Sequence, residues 1–305
     1  MGGTVMVGQF LLIFFCSLSF FSVVAEDLNI LNEKQAPLTR IGIIFAFPET
    51  TGDSSSEDSG CPIPWFSNSK RTQEGERIYY SGNYFGKYFV VSSLWPNKVS
   101  SAVVTCNMIL KHHVDLILII GTCYSRSENS RFGNVLISKG YINYDTDIRP
   151  FFERFEIPDI KKSVFATSDV HREAIRKGGK EFITTEKQVI EDLLKTYGYL
   201  KPKTKTEHTL TEGLVATGES FAMSRNYFLS LQKLYPEIQG FDSASGAVSQ
   251  VCYEYKIPCL GVNILIPHPL ESSSHEEWKK LQNEASKIYM DTLLKSVLKE
   301  LCLAH

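Results

Sequence analysis

Three short apolar runs set most of what this chain can fold into: Ile41-Gly-Ile-Ile-Phe-Ala-Phe47, residues 114–120 and residues 259–266. Each is shorter than an ordinary helix, rich in Ile, Val and Leu, and apolar at nearly every position rather than at every second one. A strand that is apolar on both faces must be covered on both faces, the condition of a parallel strand packed between helices. Helical patterns supply the cover. Asn97 is placed to cap a helix over 97–113, with Val99, Val103, Cys106, Ile109 and Leu110 on one face. Further helices are predicted over 186–197, 223–234 and 245–255, with a long amphipathic one over 274–303. Residues 77–82 and 87–94 read as a hairpin turning at Phe85-Gly86, and 134–138 and 210–217 as additional strands. Residues 49–76, rich in Ser, Asp and Gly, read as an exposed loop. The expected fold is α/β, with a central, mostly parallel twisted sheet flanked by helices. At 305 residues, with no linker after 39, one domain over 39–305 is the simplest count.

Ahead of it, residues 10–25 form an apolar run followed by Glu26-Asp27, with Val23 and Ala25 at the small-residue positions of a cleavage site. This predicts a signal peptide over 1–25, cleaved near Ala25, and an N-terminal extension over 26–38. The mature protein is then secreted or periplasmic, with no stable membrane insertion after cleavage. An uncleaved anchor is the alternative, since the run nearly suffices to span a bilayer. The remaining cysteines include no Cys-x-x-Cys pair, so neither a zinc site nor a redox motif is expected. Cys106, Cys123, Cys252 and Cys259 lie in apolar runs and read as buried thiols. A net charge of -2 gives no reason to expect nucleic acid as a partner.

Four ordered segments carry a more specific signal. They are Ile41-Gly-Ile-Ile-Phe-Ala-Phe47; Gly121-Thr-Cys123, with Gly133-Asn-Val-Leu-Ile-Ser138 and Asn143-Tyr-Asp-Thr-Asp-Ile-Arg-Pro-Phe151 after it; Thr217-Gly-Glu-Ser-Phe221; and Phe241-Asp-Ser-Ala-Ser245. Together they resemble the nucleoside phosphorylase and nucleosidase superfamily, and most closely the methylthioadenosine/S-adenosylhomocysteine nucleosidases. The resemblance spans roughly residues 40 to 300. It implies that superfamily's sheet and flanking helices, a homodimer, a purine nucleoside or related small molecule as ligand, and no cofactor or metal. The chemistry it implies is hydrolysis of an N-ribosyl bond, with a carboxylate activating water and a second acid protonating the departing purine.

Carried over residue by residue, the motifs are altered. The water-activating glutamate falls on Thr50, with Glu49 beside it. The ribose-holding glutamate falls on Ala244, with Asp242 and Ser243 just before. The purine-protonating aspartate falls on Pro267, with His268 next. Tyr124-Ser125 replaces a Gly-Gly pair, and Asn263 stands near a position where relatives carry Arg. Thr122 matches a small hydroxyl residue, Phe221 the aromatic that packs on the base, and Glu219 the acid of the third motif. Glu49 and His268 are therefore the candidate catalytic groups. Thr50, Thr122, Tyr124, Glu219, Phe221, Asp242, Ser243 and Asn263 are the candidate substrate-binding residues. Two readings follow. In one, the chain keeps a nucleoside-type pocket but has lost the usual hydrolysis and serves binding, storage or interaction. In the other, it is a divergent nucleosidase acting on methylthioadenosine, S-adenosylhomocysteine or aminodeoxyfutalosine-like nucleosides. In either case the pocket is expected at the carboxyl ends of the strands.

Overall fold

The computed structural model describes residues 38–46, 63–93, 97–125, 133–197, 209–220, 225–266 and 274–304. Its centre is β1 (Arg40–Ala46), paired parallel with β4 (Lys87–Ser93) on one side and β5 (Leu116–Tyr124) on the other. β1 and β5 are two of the continuously apolar runs, and their central residues are buried on both faces. β10 (Cys259–Ile266) follows, parallel to β5, then β6 (Val135–Asn143), β8 (Leu210–Thr217) and β9 (Ile238–Asp242). A bridge from Phe241 back to Tyr124 brings β9 round to β5, so this half of the ten-stranded sheet closes on itself. The pairings among β4, β1, β5 and β10, and among β6, β8 and β9, are parallel. Antiparallel pairing enters where β10 meets β6, at the β5–β9 bridge, where the short β7 (Val164–Ala166) joins β6, and at the hairpin edge.

That edge corrects the expected loop over 49–76. β2 (Ser67–Glu74) pairs antiparallel with β3 (Arg77–Tyr84), which pairs with β4 through the turn at Phe85-Gly86. β2 has no apolar stripe because it is an edge strand, and a polar edge is what keeps such a strand from pairing further. Phe66, just before it, packs onto the sheet; a Cβ at Gly82 would meet the Phe66 Cβ at 2.8 Å. Residues 49–62 lie outside the described residues.

One face of the sheet is covered by α2 (Arg172–Thr196), α5 (His275–Ile288) and α6 (Leu294–Leu303). The sequence places a helix only over 186–197, because the stretch before it is polar and shows no clear apolar stripe; Gly178-Gly179 fall in that stretch. The helix runs through both. A Cβ at Gly178 would stand 2.6 Å from the Val297 Cα, so the glycine is there to let α2 and α6 touch backbone to backbone. The single helix expected over 274–303 is broken by one π turn, Tyr289–Leu293, where Thr292 Oγ1 donates to the Ile288 carbonyl at 2.6 Å.

The other face carries α1 (Lys98–Leu110) and α4 (Ser245–Glu254), packed on each other; α3 (Arg225–Leu234) covers the β8–β9 end. The face predicted for α1 is overturned. Val99, Val103 and Leu110 are exposed, while Ser100, Ser101, Val104, Thr105, Met108 and Ile109 are buried. Ser101 and Thr105 can be buried because their hydroxyls donate to the carbonyls of Asn97 and Ser101, both at 2.7 Å. Cys123, Cys252 and Cys259 are buried as expected; Cys106 is only partly so.

Candidate functional site

The carboxyl ends of β6, β8 and β9 stand side by side, and the register puts Asn143, Thr217 and Asp242 in one row. Asp242 is the centre of that row. Thr217 Oγ1 donates to its Oδ1 at 2.6 Å, and the N–H groups of Ala244 and Ser245, opening α4, point at the same oxygen from 3.3 and 3.4 Å. The Thr217 hydroxyl in turn accepts the Gly246 N–H at 2.8 Å. A Cβ at Gly246 would come within 2.5 Å of the Asn143 Oδ1, so only glycine lets α4 start this close to the row.

Burial pushes the Asp242 carboxyl up from the ordinary carboxylate range, against the opposing pull of the Ser245 and Thr217 hydroxyls and of the two N–H groups. No cation is among the groups that move it. Its second oxygen, Oδ2, is buried with no hydrogen-bond partner, as is the Asn143 Oδ1. Two buried acceptors at the strand ends on either side of β8 are an arrangement that receives hydroxyl or amine donors.

A second group of charges stands beside the row. Lys98, at the start of α1, pairs with Asp145 just after β6 at 2.6 Å. The Lys98 N–H donates to Glu219 Oε1 at 2.8 Å, and the Glu219 N–H donates to Asp145 Oδ2 at 3.1 Å. Tyr144 lies over the backbone between them: a Cβ at Gly218 would meet its ring at 2.3 Å, and its hydroxyl donates to the Ser220 carbonyl at 3.1 Å.

Of the residues singled out from sequence, Tyr124, Glu219, Asp242 and the half-buried Ser243 come to these strand ends. Tyr124 is Phe241's register partner; burial first, then the Asp242 charge, raises its phenol well above the usual range. Thr122 is buried on β5 opposite Ile264. Asn263, one residue before Ile264, therefore points to the opposite face from Thr122. It is fully buried, and its amide donates to Ser138 Oγ at 3.0 Å in a polar cluster with Tyr141. Glu49, Thr50, Phe221 and His268 lie outside the described residues, as does Pro267. Sequence reasoning missed Asn143, Thr217, Lys98 and Asp145. The signal for three of them was a polar cluster at the end of an apolar strand, Asn143-Tyr-Asp145 and Thr217-Gly218; nothing marked Lys98.

A sheet that closes on itself between two layers of helices, with polar groups gathered at its strand ends, defines the class of protein. The sequence pattern of the phosphorylase superfamily matches residues 40–298, and the chain belongs to that superfamily. The 5'-methylthioadenosine/S-adenosylhomocysteine nucleosidase of Marinomonas sp. (strain MWYL1) is 23% identical over 220 residues, covering 71% of this chain and 85% of the relative. The nucleosidase of the same name from Staphylococcus saprophyticus is 22% identical over 59% of this chain and 69% of its own length. Among solved structures, the nucleosidase of Colwellia psychrerythraea in complex with adenine superposes with a TM-score of 0.66 at 19% identity, over 87% of this chain and 96% of that one. The futalosine hydrolase of Helicobacter pylori gives 0.67 at 19%, over 86% and 98%. These likenesses establish the expected fold, a mixed sheet flanked by helices.

Proposed function

We propose that the protein binds a purine nucleoside or a related small molecule at the row of strand ends around Asp242 and has lost the usual N-ribosyl hydrolysis. The observation that carries this reading is what has become of the acids. Asp242 is the only carboxylate in the row; its Oδ1 is occupied by Thr217 and the start of α4. Ala244, where the resemblance expects a ribose-holding glutamate, has no acceptor and is buried. The acceptors left without a partner in the row, Asp242 Oδ2 and Asn143 Oδ1, suit hydrogen bonding to hydroxyls, and of the two only Asp242 can also carry a proton. Thr50 and Pro267 stand where the resemblance expects the base and the acid, and neither side chain can do that work unaided. The support from relatives is that nucleosidases of this superfamily share the fold, one of them with adenine bound.

A base-release assay on methylthioadenosine and S-adenosylhomocysteine, run beside calorimetric binding of the same nucleosides, tests the proposal. Turnover is expected to fall at least about 10² below that of an intact nucleosidase, with binding retained. Robust turnover that disappears in Glu49→Gln or His268→Ala would sink it and establish a divergent nucleosidase with shifted catalytic groups. That second reading draws on the unpartnered Oδ2 of a carboxyl raised by burial, an atom able to hold a ribose hydroxyl during hydrolysis. The protein is further proposed to be exported as a homodimer, on the strength of residues 10–25 and of the family resemblance. N-terminal sequencing of the exported protein is expected to begin near Glu26.

A further inference from the structure

On the α1–α4 face, the site's helix ends in a turn that folds one cysteine back onto another. The Lys256 N–H donates to the Tyr253 carbonyl at 3.1 Å, and the Ile257 N–H to the Cys252 carbonyl at 2.9 Å. Lys256 sits in the left-handed region at φ 56°. These are the paired bonds of a Schellman motif, with Cys252 three residues before its end and Ile257 just past it. Ile257 packs in the same apolar cluster as Cys252, the side-chain contact that accompanies the motif. The chain is thereby reversed within three residues, and β10 begins at Cys259 beside the last turn of α4. Cys252 and Cys259 lie beside one another in one apolar cluster, and the Cys259 Sγ donates to Ser249 Oγ, one turn before Cys252 on α4, at 3.6 Å. Both are almost wholly buried.

We propose that Cys252 and Cys259 form an intrachain disulfide, made while the chain folds, which ties the end of α4 to the start of β10. The reaction is exchange with an external disulfide such as that of glutathione. The Cys259 thiolate attacks one sulfur of that disulfide, and the other sulfur leaves as a thiolate that takes up a proton. Cys252, deprotonated, then displaces the second external sulfur from the mixed disulfide. In sum two protein thiols lose two electrons and two protons, and the external disulfide becomes two thiols. Cys259 is the better nucleophile: its neighbours Cys252, first, and Ser249 hold its thiol below the usual range. Cys252, buried among apolar groups, is pushed well above it. Cys106 is the nearest competitor, but it lies on α1 and hydrogen-bonds to Tyr255. Cys123 stands elsewhere, against Gly240, and Cys302 is on the last helix, on the other face of the sheet.

The full chain is refolded from guanidinium in a glutathione redox buffer, alkylated without reduction and mapped by mass spectrometry. A peptide pair joined through Cys252 and Cys259, lighter by two hydrogens than its free-thiol form, is expected. Reduction should then lower the melting temperature by about 4 °C or more, since the cross-link restricts the unfolded chain. That difference is expected to vanish in Cys259→Ser, which keeps a polar partner for Ser249, and to survive in Cys106→Ser. If refolding gives no native circular dichroism, the same mapping is made on protein recovered from an oxidising export compartment. Cys252 and Cys259 both alkylated in natively folded, oxidised protein overturns the proposal, and so does either of them joined to another cysteine.

Discussion

Two helices begin beside the candidate site, and each has its first N–H groups satisfied by a carboxylate from elsewhere in the chain. At α1 the cap is divided. Asn97 accepts the Ser100 N–H at 2.6 Å, and Glu219, an exposed residue from beyond β8, accepts that of Lys98. At α4 the residue in the cap position is Ala244, which makes no side-chain bond, and Asp242 from the preceding strand takes its place. The difference is solvent. Glu219 is exposed to solvent, beside the pair formed by Lys98 and Asp145. Asp242 has given up its hydration for the Thr217 hydroxyl and two distant N–H groups, and burial outweighs them. The same local device is therefore a surface convenience in one helix and a buried acid in the other. Only the buried one leaves an acceptor without a partner, and that imbalance is why the site is drawn around Asp242 rather than Glu219.

The largest expected effect that would break this comparison comes from Asp242→Ala. It leaves the Thr217 hydroxyl and the first N–H groups of α4 without an acceptor, and about 2–4 kcal/mol of stability should be lost, read by denaturant titration. Asp242→Asn keeps the acceptor and removes the charge, so at neutral pH it should cost far less. If the two variants are equally damaging, the ionised carboxylate is what α4 needs, and burial is not the dominant cost.

The pH dependence sharpens the same point. A carboxyl raised on folding binds its proton more tightly in the native state than in the unfolded one. Its contribution to stability is fully present below the unfolded value of about 4 and is lost as pH rises through the folded one. Comparing the chain with Asp242→Asn by thermal melts from about pH 4 to 8 should show the unmodified chain losing stability relative to the variant as pH rises. A parallel pair of curves would mean that Asp242 titrates as it does in water.

How much of this was legible in the sequence depends on which chemistry spoke. The continuous apolar runs fixed β1, β5 and β10, because a strand buried on both faces has few other sequences open to it. The acid at 242 and Thr217 each stood in a motif, but that they pair was not legible, because a register between strands distant in sequence leaves no local mark. α1 misled because the sequence was read for apolar residues. Its buried face is built on serines and threonine whose hydroxyls close onto the helix's own carbonyls, so polarity was no guide to exposure. α2 was legible only over 186–197 because the stretch before it is polar; the helix runs on through Gly178-Gly179, where it needs a small residue for close packing on α6. Positions 49, 50, 267 and 268, where the resemblance places the base and the acid, lie outside the described residues.

At α1 the expected changes are smaller. Asn97→Ala removes the acceptor of the Ser100 N–H and should cost about 1 kcal/mol, as cap substitutions do, measured as a shift of the denaturation midpoint at constant slope.

Glu219→Gln should be the mildest, about 0.3–1 kcal/mol at low salt. The glutamine can still accept from the Lys98 N–H, so only the charge at the helix start is removed. The charge also acts on the Lys98 ammonium, which remains paired with Asp145 at 2.6 Å in the variant, and that pair limits the loss. Salt separates the two helices cleanly. An exposed carboxylate is screened over a Debye length of about 3 Å in 1 M salt, so the Glu219→Gln effect should fade there. The balance at Asp242 is one of hydration and short hydrogen bonds inside the protein, and its Asn variant should respond little to the same salt. If Glu219→Gln stays as costly in 1 M salt as in dilute buffer, the two helix starts are held in the same way, and the contrast between a solvated and a buried acid fails.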